Sequence, residues 1–320
     1  DGLLIQSAYF STCSVRLAES CVARFPPNLE KLSQATTVKH IHFKGITDYR
    51  DGNKIQNYLL DQHIQFKLAE KSSRAIFQAY PTILTFEFSS VYTGGKRERD
   101  SKKATNIPFL SGNKNDVQEV TMTSAGVPYI QTDRGGQVTY HGPGQLVAYF
   151  IWDLKLWRKL SSKCFVNYIE QCSINTISHV GVVDVCRTEN TGVWVSKGKG
   201  TEEKISSIGL NIKRNVTSHG LSINLSTNLK YLNNPEFVMC GLKGYHQTSI
   251  EKELNGLPVD LDVERLADIL CDTVKLRMDS YMMNLPGKDD YKMRVEKTVI
   301  DLQRISLSSA YKMIDDIAHV

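Results

Sequence analysis

Residues 134–146 read Arg-Gly-Gly-Gln-Val-Thr-Tyr-His-Gly-Pro-Gly-Gln-Leu, and this glycine-rich stretch most restricts the folds open to the chain. Glycine allows backbone conformations with positive φ and lets other groups approach the main chain closely. Pro143 stiffens the loop, and the apolar run at 146–152 indicates a strand after it. Such a strand would hold side chains such as Arg134 and His141 at the rim of a site, although a plain turn uses the same residue types.

Length and composition narrow the class of protein. The 320 residues suffice for one large domain or two small ones, and 41% of them are hydrophobic, so a sizeable core is expected. The net charge of +5 is too small to argue for nucleic acid, and no apolar stretch approaches a membrane span. Seven cysteines without a CxxC pair indicate free thiols in a reducing compartment. We therefore expect no disulfide framework, metal site, nucleic-acid partner or membrane segment.

The first 36 residues differ in composition from the rest of the chain. Serine, threonine and arginine are frequent there, and acidic residues are scarce before Pro26. This composition is typical of a mitochondrial transit segment, although an ordinary disordered tail fits it equally well. Residues 1–36 are therefore treated as a presequence-like segment outside the main domain.

Hydrophobic periodicity divides the rest of the chain into strands and helices. Period-two alternation predicts strands with one buried face, and apolar residues at helical spacing predict amphipathic helices. Strands are predicted at 37–46, 83–88, 182–185, 191–195, 208–212 and 221–225, and helices at 53–73, 163–180 and 260–278. Strands outnumber helices and do not alternate strictly with them. The sequence therefore predicts an α+β fold with mixed or antiparallel sheets and flanking helices.

Three further segments complete the expected domain plan. Residues 98–119 are polar and charged, which predicts a flexible surface insertion. Residues 215–220 are expected to link two strands. The charged residues 286–320 are predicted to form a helical C-terminal extension. The main domain is accordingly expected to span residues 37–285.

His40 and His42 are spaced to lie on one face of the first predicted strand. A metal site would need further ligands, and no neighbouring cluster of cysteine or histidine supplies them. A pair of histidines on the protein surface is therefore the expected interpretation.

Cys240 differs from the other six cysteines in its surroundings. It follows a turn and precedes Gly241, which leaves room beside the thiol for a substrate carbonyl. The other cysteines are expected to be small buried hydrophobic residues. Cys240 is thus a candidate nucleophile, although a buried structural cysteine is the simpler interpretation.

Lys204 is a second candidate, expected at the start of the strand that contains residues 208–212. A solvated lysine in a charged turn is the simple alternative. The nearby turn at 197–200 lacks the G-x-x-x-x-G-K-[ST] spacing of a phosphate loop, and no G-x-G-x-x-G follows a strand. The sequence gives no support for nucleotide binding, and no cofactor is expected.

Several sequence blocks in a fixed order resemble the LipB-type octanoyltransferases, or lipoyl(octanoyl) transferases. The stretch from Arg134 to Gln145 matches the signature of that family with essentially no departure. Further matching blocks lie at 93–94, 191–195, 204–209, 217–221 and 240–241. Met239 replaces a common proline before the cysteine, which puts the geometry of that loop in question. The insertion and the C-terminal tail exceed the compact bacterial pattern and indicate an organelle-adapted eukaryotic member.

The resemblance implies a fold related to the catalytic domain of biotin and lipoate protein ligases. It implies transfer of octanoyl from octanoyl-acyl carrier protein to a lysine of apo-lipoyl domains, through an acyl thioester on Cys240 with Lys204 as its partner. The acceptors would be the glycine cleavage H protein and the E2 subunits of 2-oxoacid dehydrogenases, in the mitochondrial matrix. The residues implied to line the acyl site are Arg134, Gly135, Gly136, Gln137, Val138, Thr139, Tyr140, His141, Ser207, Ile208, Gly209, Gly220, Leu221 and Ser222.

Other functions remain open on the sequence alone. An ATP-dependent lipoate ligase of the same fold would need nucleotide contacts and would not need Cys240. A catalytically silent scaffold would bind carrier proteins without acyl transfer. A thioesterase would let water intercept the acyl-cysteine, which a dry pocket should prevent.

Overall fold

The computed structural model describes residues 27–71, 79–97, 120–158, 160–198, 200–235, 237, 239–242, 244–282 and 292–318. Most of the presequence-like segment and the predicted insertion at 98–119 lie outside the described residues. The end of the presequence-like segment forms a short 3₁₀ turn, Leu29–Lys31, followed by helix α1, Leu32–Thr36.

Within the described residues, nine strands form a mixed main sheet, and a smaller four-stranded sheet packs beside it. The strands of the main sheet are β1 (Thr37–Thr47), β2 (Thr82–Phe88), β7 (Gln145–Ile151), β8 (Val185–Cys186), β9 (Val193–Ser196), β10 (Glu202–Lys213), β11 (Val216–Asn224), β12 (His246–Gln247) and β13 (Arg294–Ile300). The smaller sheet contains β3 (Val91–Gly94), β4 (Val120–Met122), β5 (Pro128–Gln131) and β6 (Thr139–His141). Further helices are α2 (Tyr49–Lys71), α3 (Ser162–His179), α4 (Leu229–Leu232), α5 (Ile250–Leu254), α6 (Val263–Met282) and α7 (Leu307–Ala318).

The main sheet has the order β13-β1-β2-β7-β11-β10-β9-β8, and β12 pairs with β10. Strand β1 is parallel to β13 and β2, whereas the pairs from β2 through β7, β11, β10 and β9 to β8 are antiparallel. The predicted α+β class with mixed sheets and flanking helices is therefore confirmed.

Helices cover both faces of the main sheet. On β7, Ala148 and Phe150 point into the core under α3 and α6. Val147 and Tyr149 point to the opposite face, under α2 and α7. Successive side chains of a strand point to opposite faces, so a strand between two helical layers is apolar throughout. This explains the unbroken apolar run of β7.

The strongly periodic segments are the ones that the sequence predicts well. The helices predicted at 53–73, 163–180 and 260–278 correspond to α2, α3 and α6 with shifted ends. The strand predicted at 182–185 is reduced to β8, because Val183 is exposed. Strand β11, predicted to have one buried face, is buried on both, and α2 packs against it.

The link between β10 and β11 is shorter than the sequence predicts. Only Arg214 and Asn215 separate the two strands, and both have positive φ, 53° and 66°. Two consecutive residues with positive φ form the type I′ turn that matches the twist of a hairpin. Residues 216–220, expected in the link, therefore belong to β11.

The predicted surface position of His40 and His42 is wrong, because both side chains are buried. Strand β13 pairs outside β1, and α6 covers the histidine face. His40 Nε2 and His42 Nδ1 lie 2.8 and 2.9 Å from Thr85 Oγ1. Their other ring nitrogens face Asp268 and Glu264 of α6, at 3.9 and 3.8 Å. Burial, followed by the charges of neighbouring residues, lowers the pKa of His40 to about 3.

Among the described residues 292–318, the helical prediction for residues 286–320 is correct only for α7. Residues 294–300 form strand β13, which extends the main sheet beside β1. Helix α7 packs its buried Ala310 and Ile314 against the core under α2, and the Tyr58 hydroxyl of α2 donates to Asp315 at 2.6 Å. Charged residues are interspersed along β13, which is an edge strand. Hydrophobic periodicity therefore does not predict its pairing with β1.

None of the described helices is long and apolar enough to cross a bilayer. Within the described ranges, no group of three or more His, Cys, Asp or Glu side chains could hold a metal ion.

The packing of α7 predicts unequal effects for two adjacent substitutions. Ile314 is fully buried, whereas Met313 is 37% exposed. We expect Ile314→Ala to lower the free energy of unfolding by about 2–5 kcal/mol, because it leaves a cavity in the core. Met313→Ala should change it by less than about 1 kcal/mol. Urea denaturation of both variants measures the difference, and equal effects would show that α7 does not pack as described.

Candidate active site

A pocket of about 230 Å³ lies between the main sheet and the glycine-rich segment. Strands β7, β10 and β11 form one wall, and β6 with the residues before it forms the other. Its lining residues are Arg97, Arg134, Gly136, Gln137, Thr139, His141, Val147, Tyr149, Glu189, Asn190, Thr191, Lys204, Ser207, Ile208, Gly209, His219, Gly220, Leu221, Ser222 and Leu242.

A main-chain contact joins the two walls. Gly135 N–H donates a hydrogen bond to the Leu210 carbonyl at 2.8 Å. A Cβ atom at Gly209 would lie 2.8 Å from the carbonyl oxygen of Gly135, which is closer than real side chains come. Glycine at position 209 therefore lets the glycine-rich segment lie directly on β10.

Arg134 fixes the start of the glycine-rich segment. Its buried guanidinium donates to both the carbonyl and the hydroxyl oxygen of Thr93 on β3. A further hydrogen bond of 3.1 Å goes to the Gly135 carbonyl. These charge-assisted bonds hold a positive charge beside the pocket.

Successive side chains of β6 point to opposite faces, so only some of the residues implied to line the acyl site reach the pocket. Thr139 and His141 line the pocket. Val138 and Tyr140 instead pack into the core of the small sheet, with Phe237 and Met239. Gly135 also lies outside the lining and contributes its main chain. The remaining implied residues all line this pocket.

His141 has a fixed tautomer. Asn224 Nδ2 donates to the Thr248 carbonyl at 2.9 Å, so its Oδ1 accepts from Gln145 Nε2 at 2.8 Å. Gln145 Oε1 must then accept from His141 Nδ1, at 2.7 Å. The neutral ring therefore carries its proton on Nδ1 and presents Nε2 as an acceptor. Burial is the main cause that lowers the pKa of His141 to about 4, and the hydrogen bond that His141 donates to Gln145 opposes this shift.

Lys204 reaches the pocket because β10 is irregular at this point. The register shifts between Lys204 and Ser206. Ile205 points into the core under α3 and α6, and Lys204 lines the pocket. The buried ammonium donates to the Thr191 carbonyl at 3.0 Å and lies 5.3 Å from the centre of the Trp194 ring. The predicted alternative of a solvated lysine is thus wrong.

The loop that contains Thr191, whose carbonyl accepts from Lys204, is itself held by hydrogen bonds. Glu170 of α3 accepts from Gly192 N–H at 2.9 Å and from Arg187 Nε at 2.7 Å. Gly192 has φ of 127°, and a Cβ atom there would lie 2.5 Å from the Lys204 side chain. Glycine at position 192 therefore gives Lys204 both its space and its acceptor carbonyl.

The main chain of Cys240 lies in a 3₁₀ turn, Met239–Gly241, at the pocket; the side chain of Cys240 lies outside the described part of the structure. Gly241, with φ of 69°, lies against the Gln137 side chain, and Leu242 lines the pocket. Met239, in place of the family's usual proline, is buried in the core of the small sheet. The turn therefore approaches the same pocket as Lys204.

His219 is a pocket residue that the sequence does not identify as such. Its φ of 58° interrupts the alternation of β11, and its ring lies against Tyr149, with centroids 5.4 Å apart. Its main-chain N–H donates to Gln56 Oε1 of α2 at 2.6 Å instead of to β10. Burial, with the nearby Arg134 charge as a smaller cause, lowers the pKa of His219 to about 3.

Further lining residues also escape the sequence patterns. Tyr149 and Val147 lie in an apolar run that predicts only a strand. Glu189, Asn190 and Leu242 lie in irregular segments at the pocket edge. The positive φ of His219 within a strand becomes visible only in three dimensions.

The arrangement suits acyl chemistry better than nucleotide chemistry. It offers a buried ammonium, a neutral imidazole and a turn containing a cysteine around a small pocket. Groups of these types can act as a nucleophile and as proton-transfer partners toward a substrate carbonyl.

Comparison with known proteins agrees with this class of site. Residues 48–275 match the family model "Lipoyl protein ligase A/B catalytic domain". The mitochondrial octanoyltransferase of Saccharomyces cerevisiae is 34% identical over 255 residues, which cover 68% of this chain and 75% of the relative. The probable octanoyltransferase of Schizosaccharomyces pombe is 34% identical over 251 residues, or 77% of this chain and 98% of the relative.

The fold is also shared with a solved structure. The crystal structure of P. falciparum LipL1 in complex with lipoate has a TM-score of 0.52 and 13% identity, covering 88% of this chain and 72% of that one. This likeness supports the ligase-related fold. The sequence matches go further: the chain belongs to the octanoyltransferase family and is a transferase of that kind, with a role in protein lipoylation.

The buried neutral histidine of the pocket predicts how stability depends on pH. The pKa of His141 is lowered from 6.5 to about 4 on folding, so between these values the unfolded chain binds a proton that the folded chain excludes. This histidine therefore leaves the free energy of unfolding unchanged above pH 6.5. As the pH drops from 6.5 to about 4, it lowers the free energy of unfolding by roughly 1 kcal/mol per pH unit. Urea denaturation across this range should show a smaller loss in His141→Gln than in wild type.

The exposed histidine at the end of α3 provides a control. His179→Gln removes an imidazole from the surface and should retain the wild-type acid slope. An unchanged slope in His141→Gln would contradict a buried neutral His141.

Proposed function

We propose that the protein transfers octanoyl from octanoyl-acyl carrier protein to a lysine of apo-lipoyl domains through an acyl thioester on Cys240. Lys204 is the proton-transfer partner. The observation that carries this proposal is the burial of the Lys204 ammonium in a pocket bordered by the turn that contains Cys240. The family membership supports the octanoyl group, and the pocket geometry supports the role of Lys204.

The size of the pocket fits a short acyl chain. Its volume is about 230 Å³, whereas a protein cavity of about 150 Å³ holds one benzene molecule. A chain of about eight carbons is therefore a reasonable occupant, and the far longer chains of membrane lipids are not.

A cysteine suits the first half of the reaction. A thiolate attacks a thioester readily, and the new thioester remains activated for the next step. The Cys240 sulfur bonds to the acyl carbon, and the bond from that carbon to the pantetheine sulfur breaks. The departing thiolate takes a proton from the Lys204 ammonium, which leaves Lys204 neutral.

The second half returns Lys204 to its starting state. The acceptor lysine arrives as an ammonium, loses one proton to neutral Lys204 and attacks the acyl carbon. The bond to the Cys240 sulfur breaks, Cys240 leaves as thiolate, and the second proton of the nitrogen goes to solvent. A thioester is exchanged for a more stable amide, so the transfer needs no nucleotide.

The gain in rate from activating the thiol alone is too small to explain why a lysine is buried at this site. A fall in thiol pKa from about 8.5 to about 6.5 raises the thiolate fraction at pH 7 about 25-fold. With a Brønsted slope near 0.45, the nucleophilicity of the thiolate falls about 8-fold. The net gain is only about 3-fold, whereas positioned general acid–base catalysis contributes about 10²–10⁴-fold.

The edge of the pocket suits an acidic carrier protein. Arg97 is exposed there, and Lys96 beside it bonds to Asn211 at 2.8 Å. Lys213 and Arg214 lie farther from Lys204, at the turn of the β10–β11 hairpin, and Lys213 also faces Asp61 at 3.7 Å. Rim charges of this kind mainly accelerate encounter with an oppositely charged partner. The proposed acceptors are the glycine cleavage H protein and E2 subunits of 2-oxoacid dehydrogenases.

A mitochondrial location, in the matrix, is part of the same proposal. The Saccharomyces cerevisiae and Kluyveromyces lactis relatives are named mitochondrial octanoyltransferases. The Arg- and Ser-rich composition of residues 1–36 supports import into that compartment.

The cysteine intermediate predicts a mass change. After incubation with octanoyl-acyl carrier protein, intact-protein mass spectrometry should show one hydroxylamine-labile octanoyl adduct, which an apo-lipoyl domain discharges. Cys240→Ser should form no such thioester, and Cys164→Ser, which alters a buried cysteine elsewhere, should form it normally. No adduct in wild type with an intact donor would favour an ATP-dependent ligase or a binding scaffold, and a labile adduct in Cys240→Ser would assign another cysteine.

The two proton transfers predict that Lys204→Ala is impaired in both half-reactions, by about 100-fold or more in each. Single-turnover measurements with octanoyl-acyl carrier protein, and then with preformed octanoyl-Cys240 enzyme, separate the two steps. Lys197→Ala removes an exposed lysine of the neighbouring hairpin and should leave both rates near wild type. Normal discharge of the preformed intermediate by Lys204→Ala would refute the second proton transfer.

A further inference from the structure

An acidic side chain, Glu189, borders a pocket whose other charged groups are cations. Among the described lining residues, Arg97, Arg134 and Lys204 are basic, and Glu189 alone is acidic. Glu189 is exposed at the pocket edge. Within the described part of the chain, its carboxylate has no hydrogen bond or ion pair. The carboxylate is therefore free to receive a cation that enters the pocket.

The turn that contains Glu189 is held on both sides. The Thr188 hydroxyl accepts from the Asn190 N–H at 3.1 Å and lies 3.3 Å from the Asn190 carbonyl oxygen. The indole N–H of Trp194 donates to the same carbonyl at 3.0 Å. Arg187, which precedes the turn, is hydrogen-bonded to α3. A backbone fixed in this way limits the positions that the Glu189 carboxylate can reach.

The same turn brings Glu189 close to the proposed proton carrier. The carbonyl of Thr191 accepts from the Lys204 ammonium at 3.0 Å, and Glu189 lies two residues before Thr191. Cα atoms two residues apart lie within about 7 Å of each other. Glu189 is therefore at the end of the pocket where the second half-reaction would take place.

We propose that the Glu189 carboxylate binds the ammonium of the acceptor lysine as it enters the pocket and orients it toward Lys204. The proposal rests on the acyl-transfer function above and names a substrate-binding residue for its second half-reaction. Arg97 and Arg134 repel an entering ammonium, and a carboxylate at the edge offsets that repulsion. Glu189 itself neither takes up nor gives up a proton, because the proton passes from the ammonium to neutral Lys204.

The size of the effect depends on how much solvent surrounds the pair. An exposed ion pair changes an equilibrium constant by only about 1.4- to 5-fold. A hydrogen bond to a charged group is worth about 10- to 150-fold. Glu189 is exposed in the free protein, whereas a lipoyl domain over the pocket edge would exclude solvent from it. We therefore expect an effect between these ranges, of about tenfold.

The test removes the charge and keeps the size of the side chain. Acylation of Glu189→Gln by octanoyl-acyl carrier protein, and discharge of its preformed octanoyl adduct by an apo-lipoyl domain, would be measured separately in single turnovers. We expect discharge to be about tenfold slower than in wild type and acylation to stay within about twofold. Glu251→Gln, the same change at an exposed residue of α5 outside the pocket lining, should leave both steps unchanged.

A second nucleophile separates binding of the ammonium from damage to the pocket. Hydroxylamine is largely uncharged near neutral pH, so it should discharge the octanoyl adducts of Glu189→Gln and wild type at the same rate. Slower discharge of Glu189→Gln by hydroxylamine would show an altered pocket and overturn the proposal. Equal slowing of acylation and discharge would assign the carboxylate to the donor and would also overturn it.

The proposed function and the role of Glu189 fail in different ways. If the wild-type protein forms no octanoyl adduct from an intact donor, the proposed function is refuted together with the inference that rests on it. If Glu189→Gln forms the adduct and an apo-lipoyl domain discharges it at the wild-type rate, only the role of Glu189 is refuted.

Discussion

The site depends on direct main-chain contact between the glycine-rich segment and β10. Gly135 N–H bonds to the Leu210 carbonyl, and Gly209 leaves no side chain between the two backbones. This contact brings the small sheet over the main one and encloses the pocket between them. A side chain at Gly209 would push the two walls apart, because its Cβ atom would lie 2.8 Å from the Gly135 carbonyl oxygen and the hydrogen-bonded backbones cannot move aside cheaply.

The polar groups of the pocket fall into two sets. Lys204, His141 and Arg134 are held by hydrogen bonds to protein atoms that are themselves anchored, such as the Thr191 carbonyl beside the Gly192–Glu170 bond. Tyr149 and His219 are instead enclosed by buried neighbours, Tyr149 by the rings of Phe86 and Phe88 and His219 by Gln56 of α2. The first set is fixed in orientation by hydrogen bonds, and the second mainly by packing.

The sequence predicts most of this fold because its long segments have clear hydrophobic periods. Helices α2, α3 and α6 and the hairpin strands β10 and β11 follow from such periods, whereas β13 and the buried His40–His42 face do not. The latter depend on a pairing between residues about 260 positions apart, which no local pattern contains. For the site, the blocks that resemble the family contain Lys204 and most of the pocket lining. The sequence does not identify Tyr149 or His219 as pocket residues. Tyr149 lies in an apolar strand, and an unusual backbone angle turns His219.

A protein of the same fold has been solved in complex with lipoate, and a shared fold does not by itself determine function. In the proposed function the donor arrives as a thioester, so the protein needs a nucleophile, a proton carrier and a pocket for the chain. Lys204 reaches the pocket because an irregularity in β10 points it there and an anchored loop receives its ammonium. A regular strand with alternating side chains would turn this lysine into the apolar core beneath α3, where an ammonium is strongly disfavoured. The irregularity in β10 is therefore the local feature on which the proposed role of Lys204 depends.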